Sequence, residues 1–312
     1  MSDFQTSLAS QIRLAQSRVK PYEGFIFLCG GTADATNPKP ASIRDAIYRE
    51  LAKIDAIEQR IRLAEHYKDW AHDSVYRDLV LFERHLAELS SVIVLVLESP
   101  GAIAELGLFS TIDEFRSKLL VYVDAGHYRQ QSFIRLGPID YLEKTHNNDA
   151  ECHSWIKRIK DKEIFDRDAA EQLQPELAEP ITNRLKASKS EEPFDSSRWL
   201  HLALLTCDLL NLFSALTVRD VFNCLSKLGL PWLEPDIRQA LFLMEKMNLL
   251  TMEPSGNQRY FVANDDRLFL KFHIESPTYD LSRFRNDVLD DYKKNDKKRF
   301  RAIQNVRKRA ST

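Results

Sequence analysis

Two short stretches hold the residue types from which chemistry could be built. FLCGG at 27–31 is an apolar run that ends in paired glycines, Gly30 and Gly31. A strand that stops on glycine lets a ligand approach the backbone, and doubly wound sheets hold ligands beyond the C-terminal ends of their strands. ESPGAIAELG at 98–107 follows the β-branched and Leu run at 92–97, and Ser99, Pro100 and Gly101 build a strand-to-helix turn. Glu105 is expected in or near the first turn of that helix, where the positive end of the macrodipole favours an ionised carboxylate. Glu98 stands at the strand's end, so two carboxylates and a helix N-terminus are expected to converge. Each feature also has a plainer reading. Paired glycines after a strand make a tight turn, Glu105 can be a solvated first-turn glutamate, and Cys29 a small buried hydrophobe.

The surrounding elements must position these groups. Residues 25–28, 61–63, 92–97 and 119–123 read as strands, the third as one covered on both faces. Between them lie helical stripes: Ile43, Ile47, Leu51 and Ile54; Val75, Leu79, Phe82, Leu86 and Leu89; Ala104, Leu108 and Ile112. Ser42 with Asp45 is a capping-box variant at the first helix. The strand at 61–63 is expected to end near Glu65, His66 and Tyr67. Such alternation implies an α/β fold, a doubly wound, mostly parallel sheet covered by helices, over residues 1–150. Residues 151–195 are rich in Lys, Asp, Glu and Gln and read as a polar helical linker.

Beyond the linker, 199–213 is an apolar helix. Thr217 and Asp220 have capping-box spacing, Pro235 opens a third helix, and 249–252 with 259–262 flank a turn. Three helices and a hairpin over 196–278 suggest a winged helix-turn-helix. Its third helix carries Arg238 and Lys246 but also Asp236 and Glu245, which favours docking to a partner or a nucleic-acid backbone over base reading. The tail, 279–312, reads as polar and helical. Residues 293–309 hold nine Lys and Arg against one Asp. Lys293, Lys294, Lys297, Lys298, Arg299, Arg301, Arg307, Lys308 and Arg309 are therefore candidate phosphate contacts with salt-sensitive binding.

Composition bounds the rest. A chain of 312 residues, 44% apolar and 29% charged, with net charge −2, is a globular protein of about two domains. Its uniform apolar runs are far short of the ~20 residues that span a bilayer. The start, MSDFQTSLAS, lacks the pattern of a signal peptide. Cys29, Cys152, Cys207 and Cys224 have no CxxC spacing, and no metal-ligand pattern occurs. A cytoplasmic protein with reduced thiols and no metal is expected.

FLCGG at 27–31, ESPGAIAELGLFS at 98–110 and SFIRLGPIDYLEK at 132–144 together resemble the effector proteins of bacterial retrons. These join a nucleoside 2-deoxyribosyltransferase-like domain to a winged helix. The resemblance implies an antiphage toxin restrained by a reverse transcriptase and its RNA–DNA product, msDNA. It makes Glu105 the catalytic nucleophile and Glu83 the acidic residue that positions it. Cys29, Gly30, Gly31, Glu65, Tyr67, Glu98, Ser99 and Gly101 would line the substrate pocket. The transferases carry Asp at the position of Glu83 and another near Glu98 and Ser99; this chain departs from both. A buried carboxylate suits N-glycosidic cleavage, because positive charge builds at the anomeric carbon. Nicotinamide leaves NAD as a neutral base without a general acid, so NAD, as substrate and not cofactor, fits a lone nucleophile best. Asp34, Glu65 or His66 could supply a proton to other leaving bases. Two alternatives stay open. One is a nucleotide or deoxynucleotide N-glycosidase or deoxyribosyltransferase. The other is a nucleic-acid-binding module that senses a nucleotide without turnover. Higher-order assembly is also left open.

Overall fold

The computed structural model describes residues 1–63, 75–160, 162–187 and 190–310. The chain divides into two compact units. One comprises Glu23–Lys68 and Leu79–Ser188; the other comprises Met1–Tyr22, Asp69–Asp78 and Lys189–Thr312.

The first unit is built on five parallel strands: β1 (Phe25–Cys29), β2 (Ile61–Arg62), β3 (Ser90–Val96), β4 (Leu119–Asp124) and β5 (Glu151–His153). Their order is β2-β1-β3-β4-β5, and every adjacent pair is parallel. All of β3 is buried, which is why its sequence shows no polar alternation. Helices α1 (Ile43–Leu51), α2 (Leu79–Glu88), α3 (Pro100–Phe109) and α4 (Gln174–Lys186) complete the frame. Ser42 Oγ caps α1 by accepting from Asp45 N at 2.9 Å. Ser99 Oγ caps α3 from Ala102 N at 3.2 Å, with Pro100 opening the helix. Ile54 falls outside α1 and is exposed, and Val75 lies outside α2.

The expected linker at 151–195 is corrected. It supplies β5, an antiparallel hairpin of β6 (Ile156–Ile159) and β7 (Lys162–Phe165), and α4. Trp155, Leu177, Ala178 and Ile181 are buried in one core with Ile26, Leu28, Val92 and Ile47. Few but well-placed apolar residues carried this packing, and average polarity concealed them.

In the second unit, α5 (Trp199–Leu212) is buried nearly all round, as its sequence without a polar face requires. It is followed by α6 (Val218–Lys227), α7 (Glu234–Lys246) and the antiparallel strands β8 (Leu250–Ser255) and β9 (Gln258–Ala263). The Thr217–Asp220 capping box forms in both directions, at 3.2 Å and 3.0 Å. The boundary drawn at residue 1 is also corrected. The helix Ser2–Gln11 packs on α6, and the strand Arg18–Val19 pairs with Leu270–Lys271 and with Glu192–Pro193. The tail forms α8 (Leu281–Asn295) and α9 (Lys297–Ala310). These bury Phe284, Val288, Tyr292, Ala302, Ile303 and Val306, so the tail belongs to this unit's core. Among the described residues no helix is long and apolar enough to cross a membrane.

Candidate active site

The first strand of the sheet delivers one half of the site. Cys29 ends β1, paired with Leu95 of β3, and is only 4% exposed. Glu105 lies near enough for its charge to act on the thiol. Glu83, on the buried side of α2, is 8% exposed and close enough to Glu105 for the two charges to interact. Burial, and then the charge of Glu105, push the Glu83 carboxyl up to about 7. The Cys29 thiol is raised well above its ordinary value by burial first, then by Glu105 and Glu83, against a smaller opposing pull from Arg44. Glu105 itself is half-buried, with Oε2 shielded from solvent. Cys29, Glu83 and Glu105 are thus brought together by β1, α2 and α3.

Glu105 is not in the first turn. α3 starts at Pro100, and its first turn holds no acidic residue. The macrodipole argument therefore does not apply to it, because that field fades beyond the first turn. The surroundings of Glu105 come from Cys29 and Glu83 instead.

Glu98 plays a different part. Its Oε1 accepts from Gly31 N and Arg44 N, and its Oε2 from Ile43 N, each at 2.9 Å. The carboxylate sits on the N-terminus of α1, not α3, and ties the glycine turn to that helix. This explains Gly30 and Gly31 without a ligand. A Cβ on Gly31 would lie 2.9 Å from Glu98 Oε1, and one on Gly30 2.9 Å from Arg44 Cβ. Gly101 is exposed, and a Cβ there would meet nothing nearer than 3.9 Å, so no close approach required glycine.

Gly31, Glu98 and Ser99 border a cavity of about 730 Å³ at the C-terminal ends of β1, β3 and β4. Cys29, Glu83, Glu105 and Gly101 are not among its lining residues. Its wall includes Gln130, Ser132 and Arg135 after β4, and Ile156, Ile164 and Phe165 of the β6–β7 hairpin. His127 Nε2 lies 3.0 Å from Glu163 Oε2 beside it. The hairpin was missed from sequence. Its signal was the apolar–charged alternation of IKRI at 156–159, lost within a segment read for composition. Glu65, His66 and Tyr67 lie outside the described residues. Asp34 is a poor proton donor: bonds from Thr36 Oγ1 and N hold its carboxyl below the usual range. Among the described residues no cluster suited to a metal ion occurs.

The basic helix is only partly as expected. Lys293, Lys294, Lys297, Lys298, Arg301, Arg307 and Lys308 are exposed. Arg299 is 7% exposed and cannot be a phosphate contact. It pairs with Asp220 at 3.0 Å and Asp296 at 3.1 Å, donates to Ala215 O, and lies over the Tyr260 and Tyr292 rings. Arg309 is ion-paired with Glu253.

Residues 40–252 match the family model described as STM3845 retron effector protein. The chain belongs to that retron effector family. Two Escherichia coli relatives resemble this effector. The "Retron Ec86 putative ribosyltransferase/DNA-binding protein" is 32% identical over 187 residues, 58% of each chain. Its Ec73 counterpart, with the same description, is 28% identical over 215 residues, 60% of this effector and 63% of the relative. The chain spans about three-fifths of the length of these curated relatives. The retron effector model runs from before α1 into the start of β8, and so covers both Glu83 and Glu105.

Proposed function

We propose that this retron effector cleaves an N-glycosidic bond, hydrolysing NAD to nicotinamide and ADP-ribose, with Glu105 as nucleophile. The observation that carries this reading is the closeness of the half-buried Glu105 to the buried Glu83 and Cys29. Glu105 attacks C1′ of the ribose as nicotinamide departs with the bond's electron pair. Water then hydrolyses the ribosyl ester and regenerates the carboxylate. Glu83, which favours its neutral form, keeps the second acid from repelling the first. Ribosyl chemistry is supported by the ribosyltransferase description of both relatives. The test is nicotinamide release by purified protein. Glu105→Gln is expected to abolish it, and wild-type turnover by that variant would refute the assignment.

One observation favours a second substrate class. A carboxyl titrating near 7 beside the nucleophile can protonate a leaving base, so a neutral nucleotide is also within the chemistry of the pair. The two substrates separate by pH. NAD cleavage needs no proton and should stay level above pH 7. Nucleotide cleavage should fall about tenfold per pH unit there, as Glu83 ionises. Activity on neither, with binding retained, would support the nucleotide-sensing module.

The deoxyribosyltransferase-like identity of the first unit and the winged-helix identity of α5–α7 with β8 and β9 belong to the same proposal. The second unit would hold the effector, in the cytoplasm, on the retron reverse transcriptase and its msDNA until infection. The exposed cations of α8 and α9, and the DNA-binding description of the relatives, support this. If release is unchanged when the reverse transcriptase and msDNA are co-purified, the restraint is absent.

A further inference from the structure

Pro100 and Ile103 of α3 border the cavity at the C-terminal ends of β1, β3 and β4. Glu105, two residues beyond Ile103, is turned about 200° around the helix. Its charge acts on Glu83 and Cys29, and neither of these borders the cavity. The acid pair and the cavity are therefore on different sides of α3. The bond that breaks must lie at Glu105, which leaves the cavity for another part of the substrate. Its volume of about 730 Å³ falls within the range of ~300–1,000 Å³ that holds small molecules. We propose that it holds the adenosine end of NAD, with Ile164 and Gln130 as specificity-determining residues. This rests on NAD being the substrate.

The lining suits a flat heteroaromatic base better than a sugar or a phosphate. Ile103, Ile134, and Ile156 and Ile164 of the β6–β7 hairpin give it apolar walls. Flipped bases are held between such side chains and read at their polar edges. Ile164 is 47% exposed, so a base laid over it would take apolar surface out of water. Its neighbour Glu163 accepts from Arg158 at 2.7 Å and lies 3.0 Å from His127 Nε2, which ties the hairpin to the segment after β4. Glu98 is satisfied by three backbone N–H groups, so neither carboxylate is left unpaired to repel a nucleotide's phosphates. The Gln130 side chain is exposed and, among the described residues, has no hydrogen-bond partner. Such an amide can accept from the adenine N6 amino group and donate to N7, a two-point contact.

Ile164→Ala and Gln130→Ala in the full-length protein test this, with nicotinamide mononucleotide as the second substrate. It carries the same scissile bond but no adenosine. For nicotinamide release, kcat/KM for NAD relative to that for the mononucleotide should fall about tenfold in each variant, through KM. A readout independent of turnover is calorimetric titration of AMP into the full-length Glu105→Gln protein. AMP should bind, and adding Ile164→Ala or Gln130→Ala should weaken it about tenfold. An unchanged substrate ratio with unchanged AMP affinity would overturn the proposal. So would equal losses on both substrates, or inhibition of NAD cleavage by AMP that is not competitive. If the wild-type protein releases nicotinamide from neither substrate while AMP binding responds to both variants, NAD cleavage is refuted and the adenosine site stands.

Discussion

Glu83 makes a thermodynamic cost measurable. Its carboxyl titrates near 4.5 when exposed and about 7 when folded. Below 4.5 both states hold the proton. Between 4.5 and 7 the unfolded chain releases it while the folded chain keeps it, so stability falls as pH rises, and the loss is complete above 7. Glu83→Gln removes this slope. Its melting temperature should exceed wild type by about 2–4 °C at pH 8, and the gain should vanish at pH 4. Glu98 shows the opposite case, a carboxylate satisfied by three backbone N–H groups. Glu98→Ala should cost about 2–3 kcal/mol in urea unfolding, because those buried donors lose their partner. Sequence alone put Glu98 at a strand end but could not say which helix it faced. The partner N-terminus lies more than fifty positions away, and spacing carries no such information.

At the scale of elements, α9 behaves as two surfaces. One face buries Ala302, Ile303 and Val306 and anchors Arg299, while the other exposes Lys297 and Arg301. Removing Arg299 takes the cation from Asp220 and Asp296 and the donor from Ala215 O, so Arg299→Ala should cost about 3 kcal/mol. Lys297→Ala with Arg301→Ala should leave stability within about 0.5 kcal/mol. That double variant should bind a DNA duplex more weakly and flatten the slope of log affinity against log salt by up to about two, one per lost phosphate contact. An unchanged slope would remove the helix from the nucleic-acid interface. The Tyr76 ring meets Phe242 edge-on at 6.1 Å, its hydroxyl donates to Gln239 O at 3.3 Å, and Gln239 returns a bond to Val75 O. Part of α7 is thus occupied by the chain itself. Charge counting marked the helix as an unpromising groove reader, but only the fold could show its occupant.

Across the whole molecule, what could be read in the sequence follows from the range over which each signal acts. The parallel sheet was legible because 25–28, 92–97 and 119–123 are local apolar runs, α5 because its run is apolar throughout, and α6 and α7 because Thr217 with Asp220 caps the one and Pro235 lies in the first turn of the other. The unit boundaries were not legible. They depend on Arg18 and Val19 finding Leu270 and Lys271, and on Trp155 and Leu177 joining a core begun at Ile26. The effector family was legible from the motifs around Gly30 and Glu105. The cavity wall from the β6–β7 hairpin was not, since it depends on a fold-back of the chain.

The noncontiguous second unit sets an order of assembly. A ribosome has delivered all of Glu23–Ser188 before the partners of the strand Arg18–Val19 leave the exit tunnel. At elongation rates of ~5–20 residues per second, the half that bears Glu83 and Glu105 precedes completion of its companion by about ten seconds. Each newborn polypeptide therefore passes through an interval in which the acid pair can form while the remaining half is still being translated.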